Sequence, residues 1–167
     1  MEYKCEKCGK MHEDWPAIAF TTPDSYDTMS EEDRKKYVKE ISNDFCIIEY
    51  EDQTDRFIRC VLFQEVIDHC EDLHYGVWAS LSEKSFNDYN KHYHSLDYEA
   101  TYFGYLSSQF PEYGNNYSIK TNVVYTGKNR PEVIPHIDQM DIPFVKDYYE
   151  GITKAEAERR IKYMMEK

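Results

Sequence analysis

The sequence contains no apolar run near the roughly 18 residues that cross a membrane as a helix. Its opening, Met1-Glu2-Tyr3-Lys4, has none of the apolar h-region of a secretory signal. These two absences predict a cytoplasmic protein. A phosphate-binding glycine-rich loop, a Gly-x-Ser-x-Gly elbow and a His-Glu-x-x-His helix are also missing, so three common catalytic routes leave no signature. Glycine and proline are sparse, with six of each in 167 residues, and no Gly/Ser linker or internal repeat divides the chain. The expectation is one domain over 1–167, with 1–20 forming a metal-knuckle segment packed on the main body. Basic residues are in deficit as well: 20 Lys and Arg face 32 Asp and Glu, a net charge of −12. A nucleic-acid surface would have to oppose that field, so general nucleic-acid binding is disfavoured and a basic protein is the partner the charge suits.

What remains is ample for a folded core. Hydrophobic residues make up 41% and charged residues 31%, the balance of a globular chain rather than a disordered one. Sixteen tyrosines supply rings with polar tips, suited to half-buried layers and interfaces. A short strand is expected over 16–20. A helix begins after Ser30, where Glu31, Glu32 and Asp33 oppose the positive end of the dipole; its stripe is Tyr37, Val38 and Ile41, and it ends by Asn43. Segments 45–51 and 56–66 read as an antiparallel hairpin, the second being apolar on both faces apart from Arg59. A strand over 75–81 runs into a helix capped by Ser82, with Phe86, Tyr89 and Tyr93 on one face. Further strands are expected over 101–107 and 117–126, with a loop at 111–116 between them and an extended stretch over 130–137. Asp141 reads as a helix N-cap. Thr153 to Glu156 reads as a capping box with Ile152 as its staple, opening a helix that buries Ala157, Ile161 and Met164. Strands in the middle with helices between and after them, and no regular β-α alternation, predict an α+β fold: a mostly antiparallel sheet with flanking helices and an N-terminal zinc-knuckle-like turn.

The strongest chemical signal is Cys5-x-x-Cys8-Gly9-x-x-His12. A Cys-x-x-Cys-Gly turn aims backbone amides at the first sulfur, and its glycine takes the positive φ the turn needs. Structural zinc wants four ligands, and this turn offers Cys5, Cys8 and His12. Cys46 is the first choice for the fourth, with Cys60 and Cys70 as alternatives. A redox reading fits poorly, because such a pair follows a strand and opens a helix, and here Gly9 and Pro16 oppose one. The group Asp68-His69-Cys70-Glu71-Asp72-Leu73-His74 is dense in ligand-type side chains but reads as a solvated loop. His92 and His94 read as helix-end surface residues. His136, Asp138 and Asp141 form a third polar group in an extended loop.

Several segments together resemble a bacterial family, domain-of-unknown-function family 2199: the Cys5–His12 turn with Pro16, Asp44-Phe45-Cys46-Ile47-Ile48, Phe57-Ile58-Arg59, Gly76-Val77-Trp78-Ala79-Ser80-Leu81-Ser82-Glu83, Tyr102-Phe103-Gly104-Tyr105-Leu106, Arg130-Pro131 and Gly151-Ile152-Thr153. The resemblance implies a single bacterial domain with an N-terminal Cys-x-x-Cys turn, and it favours Cys46 as the fourth ligand. Where similar proteins tend to read Thr-Asp-His-Pro, this chain has Met140-Asp141-Ile142-Pro143, which removes the histidine that a catalytic reading of that loop would need. The expected function is a small binding protein with a structural zinc, neutralising a basic partner in the manner of a bacterial immunity protein. The alternative is a small metal- or thiol-dependent enzyme that uses the His/Asp/Cys-rich loops.

Overall fold

A computed structural model describes residues 2–114 and 118–167. In chain order its strands are β1 (Glu2–Lys4), β2 (Met11–Glu13), β3 (Ile18–Ala19), β4 (Val38–Ile41), β5 (Phe45–Glu49), β6 (Thr54–Gln64), β7 (Leu73–Leu81), β8 (Ala100–Leu106), β9 (Lys120–Tyr125) and β10 (Glu132–Pro135). Its helices are α1 (Asp24–Asp27), α2 (Glu31–Tyr37), α3 (Glu83–Lys91), α4 (Pro143–Glu150) and α5 (Lys154–Met165). The chain is α+β, as its pattern predicts. The loop expected over 111–116 and the strand expected from Tyr117 fall partly on 115–117, outside the described residues.

The sheet closes on itself. Strands β6, β7, β8, β9 and β10 form a ring of five, antiparallel at every seam except β10 to β6, which is parallel through Glu132 and Val61. Closure follows from strand length. β6 has eleven residues and β7 nine, and each changes partner along one edge. β6 pairs β5 over Thr54 to Ile58 and then meets β10 at Val61. β7 takes β3 at Tyr75 and Gly76, then β8 over Ala79 to Leu81. A closed ring leaves no exposed sheet edge around the barrel itself. Gly104 permits the β7–β8 seam: a Cβ there would stand 2.7 Å from the Ser80 carbonyl oxygen.

Alternation sorts the side chains of β6 and β7. Ile58, Cys60, Leu62, Val77 and Ala79 point inward with Tyr102, Val123 and Val133. Helices complete that core from elsewhere: Phe86 and Tyr89 from α3, Phe144 and Val145 from α4, Ala157 from α5. On the outer face Cys46, Ile48, Phe57 and Trp78 form a second cluster under Tyr26, Met29, Tyr37 and Val38. Inside the larger core's polar fringe, Arg160 of α5 is only 2% exposed. It donates to Glu156 at 2.9 Å, to the Tyr113 hydroxyl at 2.6 Å and to the Tyr75 hydroxyl at 3.3 Å, and Tyr113 donates on to Asp147 of α4 at 2.6 Å.

Three local expectations are corrected. The helix after Ser30 stops at Tyr37, because Val38 turns extended (ψ 114°) and 38–41 pairs with Cys46 to Ile48 as β4; β-branched Val38 and Ile41 suit that strand. Asp141 caps nothing: Ile142 is the N-cap of α4 and Pro143 its first residue. Thr153 caps α5 by accepting from the Glu156 amide, but the Glu156 carboxylate is held by Arg159 and Arg160 instead of reaching back.

Candidate metal centre

The N-terminal hairpin stands apart from the barrel. β1 and β2 pair only with each other, with Tyr3 opposite His12, and three-residue strands supply little stability by themselves. The loop between them is closed by two backbone bonds of 2.8 Å, Cys5 N–H to the Lys10 carbonyl and Gly9 N–H to the Cys5 carbonyl. Gly9 sits at φ +70°, a left-handed conformation that a side chain would strain. The loop brings Cys5, Cys8 and His12 to one side, with Cys8 Sγ 2.9 Å from His12 Nε2.

The fourth donor comes from the connector between β6 and β7. Cys70 joins Cys5, Cys8 and His12, and the four donor atoms all lie within 4.8 Å of one another. Ligands on a tetrahedral zinc, with Zn–S of about 2.3 Å and Zn–N of about 2.0–2.1 Å, stand roughly 3.5–3.8 Å apart, so only small side-chain movements would be needed for these four donors to hold such an ion. The connector is itself braced. Ile67 N–H donates to the Ile152 carbonyl at 2.9 Å, Ile152 N–H returns a bond to the Glu65 carbonyl at 3.0 Å, and the Asp68 carboxylate accepts from the Lys154 amide at the start of α5. Gly151 makes that brace possible, since a Cβ there would stand 2.4 Å from the Ile67 side chain. His69 packs between the hairpin and its exit, edge-on to His12 at 4.8 Å and 4.3 Å from Trp15.

Two of the four donors perturb each other directly. The Cys70 thiol donates to Cys5, and the Cys8 and Lys7 amides point at the same sulfur, so the Cys5 thiol is pushed down toward thiolate. The same hydrogen bond to Cys5, with burial and the neighbouring Cys8, pushes the Cys70 thiol up to about 12. A metal bound here would displace thiol protons and hold the sulfurs as thiolates. The donor set, three thiols and one imidazole, suits a soft or borderline ion and not magnesium or calcium, which want oxygen.

Cys46 does not take part. It is fully enclosed on the outer face of β5 among Ile48, Phe57 and Trp78, and burial pushes its thiol up to about 12. Cys60 points into the barrel core and its thiol is also raised by burial. Both sit at alternating positions of apolar strands, whereas Cys70 is the one thiol carried by a polar connector. That placement, rather than motif spacing, is the signal in the sequence that identifies the fourth donor. The third polar group lies elsewhere. His136 Nε2 meets Asn122 Oδ1 at 2.8 Å, and the cleft beside it is lined by Ile134, Asp138 and Tyr149. The cleft beside Cys5 and Cys70 is lined by Tyr3, Trp15, Glu71 and His74. His92 caps the end of α3 and stacks on Tyr98 at 3.6 Å.

Among the described residues, no helix is long and apolar enough to cross a membrane. No curated protein and no solved structure matches the chain. A bacterial sequence family does match, through the hairpin, the whole barrel and the brace at Ile152, over residues 4–152. The chain therefore belongs to the family described as "Uncharacterized protein conserved in bacteria (DUF2199)".

Proposed function

We propose that Cys5, Cys8, His12 and Cys70 hold a structural zinc, and that the protein is a cytoplasmic binding module whose acidic surface meets a basic protein, in the manner of an immunity protein. The observation that carries the zinc reading is the convergence of four donors from two distant segments within 4.8 Å. Four protein ligands fill a tetrahedron and leave no open position for substrate, which marks a structural rather than a catalytic site. The zinc does mechanical work: it clasps a hairpin of two three-residue strands onto the β6–β7 connector. The partner reading rests on the net charge of −12.

Metal analysis of freshly purified, never-chelated protein tests the first half, with zinc expected equimolar with the chain and a content near zero overturning it. Cobalt substitution should give the intense bands of tetrahedral thiolate coordination. For the second half, capture from native lysate should retain a basic protein at low salt and release it at high salt, since exposed charge pairs are screened. Failure to retain any basic protein at low salt overturns the partner reading. The enzyme reading is weaker because its two polar groups, 68–74 and 136–141, line separate clefts.

A further inference from the structure

Two arginines are enclosed in this fold, and the fold treats them differently. Arg160 has a carboxylate and two hydroxyls. Arg59, 8% exposed, has no hydrogen bond or ion pair to its guanidinium among the described residues, and its buried Nε–H meets no acceptor. It is also the single charge that interrupts the apolar run of β6. A lone buried charge is among the costlier features a fold can hold, and proteins pair such groups or give them a ligand.

The surroundings are shaped around the unsatisfied guanidinium. Arg59 stands on the outer face of β6 and lies over Gly76 of β7, where a Cβ would come within 2.9 Å of Nη2 and 3.3 Å of Nε. Trp78 flanks it, with Cζ 5.5 Å from the ring centroid. The nearby carboxylate, Asp44, is already committed to Arg130 at 2.9 Å. Arg130 adds repulsion at Arg59, which Asp44 opposes. Along the same outward rows, Ala19 and His74 are exposed on either side of Gly76.

We propose that Arg59, seated over Gly76 beside Trp78, is a binding site for a carboxylate, supplied by a small acid or by the C-terminus of a polypeptide. The planar guanidinium fork matches a carboxylate in two-point contact. A singly charged carboxylate suffers less than a phosphate from the acidic field of the rest of the molecule. Arg59 is not one of the four donors of the metal centre, although His74, on the same outward row as Gly76, also lines the cleft beside Cys5 and Cys70.

The test uses the full chain as purified, labelled with ¹⁵N, and reads the arginine Nε–H resonances. Arg59→Lys identifies the Arg59 resonance by its disappearance. Titrants are sodium acetate, a tripeptide with a free C-terminus, its C-terminal amide, sodium phosphate and sodium chloride, at matched ionic strength. The Arg59 resonance should shift saturably with acetate and with the free tripeptide, and not with the amide or chloride. Tighter binding of the tripeptide than of acetate assigns a polypeptide source, and the reverse assigns a small acid. Gly76→Ala, which sets a methyl against Nη2, should weaken acetate binding about tenfold or more, since close packing tolerates no added carbon there, while metal content is unchanged. If Arg59→Lys does not fold, triple-resonance assignment identifies the signal in the unsubstituted chain. A response to phosphate alone, an equal response to the amide, or no saturable response to any anion overturns the proposal.

Discussion

Cys46 and Cys70 carry the same thiol into opposite surroundings, and that difference is measurable. Cys46 touches Ile48, Phe57 and Trp78 and is excluded from water, so it serves as a small hydrophobe. Cys70 lies beside Cys5 and Cys8 at the cleft. Cys70→Ser should therefore abolish stoichiometric zinc, as measured by metal analysis. Cys46→Ser should leave zinc unchanged and cost about 1–3 kcal/mol in urea denaturation, the penalty of burying a hydroxyl in an apolar pocket. If Cys46→Ser lost the metal and Cys70→Ser kept it, the assignment of the fourth ligand would be reversed. The Cys5–His12 half of the site is legible in the sequence because its donors lie within one tight turn, whose geometry is local. The Cys70 half is not legible in the spacing, because it depends on where an eleven-residue strand delivers its following connector; only the polar setting of Cys70, against the apolar strands of Cys46 and Cys60, points to it.

The hairpin of β1 and β2 depends on the clasp more than any other element does. Its strands are three residues each and share no backbone ladder with the barrel. Removing zinc with a strong chelator should therefore strip amide protection from 2–13 in hydrogen exchange, while β6 and β7 at the centre of the ring keep theirs. Loss of protection in the barrel at the same rate would show that the metal supports the whole fold instead. Three helix starts are readable at this scale because Ser30, Ser82 and Thr153 each cap through a side-chain oxygen within three residues, whereas α1 and α4 start without a side-chain cap. The end of α2 was not, since Val38 and Ile41 fit a helical stripe and a strand equally, and pairing with β5 decides between them. Ring closure was illegible for a similar reason. It rests on the parallel pairing of Glu132 with Val61, residues 71 apart in sequence, within a strand pattern that an open antiparallel sheet would also produce.

At the scale of the molecule, two carboxylates give the fold opposite responses to acid. Asp24 is raised to about 6 mainly by burial, with Asp27 adding repulsion and the Gln109 amide opposing it. Its folded pKa lies above the unfolded value of about 3.9, so the native state binds this proton more tightly and stability falls as pH rises from about 4 to 6. Glu156 is lowered to about 2, first by the hydrogen bonds from Arg159 and then by those from Arg160. Its contribution is complete above the unfolded value of about 4.3 and is lost as pH falls toward 2. Both groups are partly exposed, so solvent screening reduces each effect to about 1 kcal/mol. The acidic excess acts in the same direction as Asp24, because protonation relieves self-repulsion. Chelated protein should accordingly be most stable in urea denaturation near pH 4–5, between the two windows. Asp24→Asn should raise stability at pH 7 by about 1 kcal/mol and flatten the upper limb, since its amide oxygen still accepts from Gln109. Glu156→Gln should flatten the lower limb and lower stability at neutral pH, because Arg160 would keep its two hydroxyls but lose its carboxylate. With metal present the optimum should move to higher pH, because acid protonates the thiolates and the imidazole that hold it. A stability profile that is the same with and without chelator would show that the four donors contribute nothing to the fold.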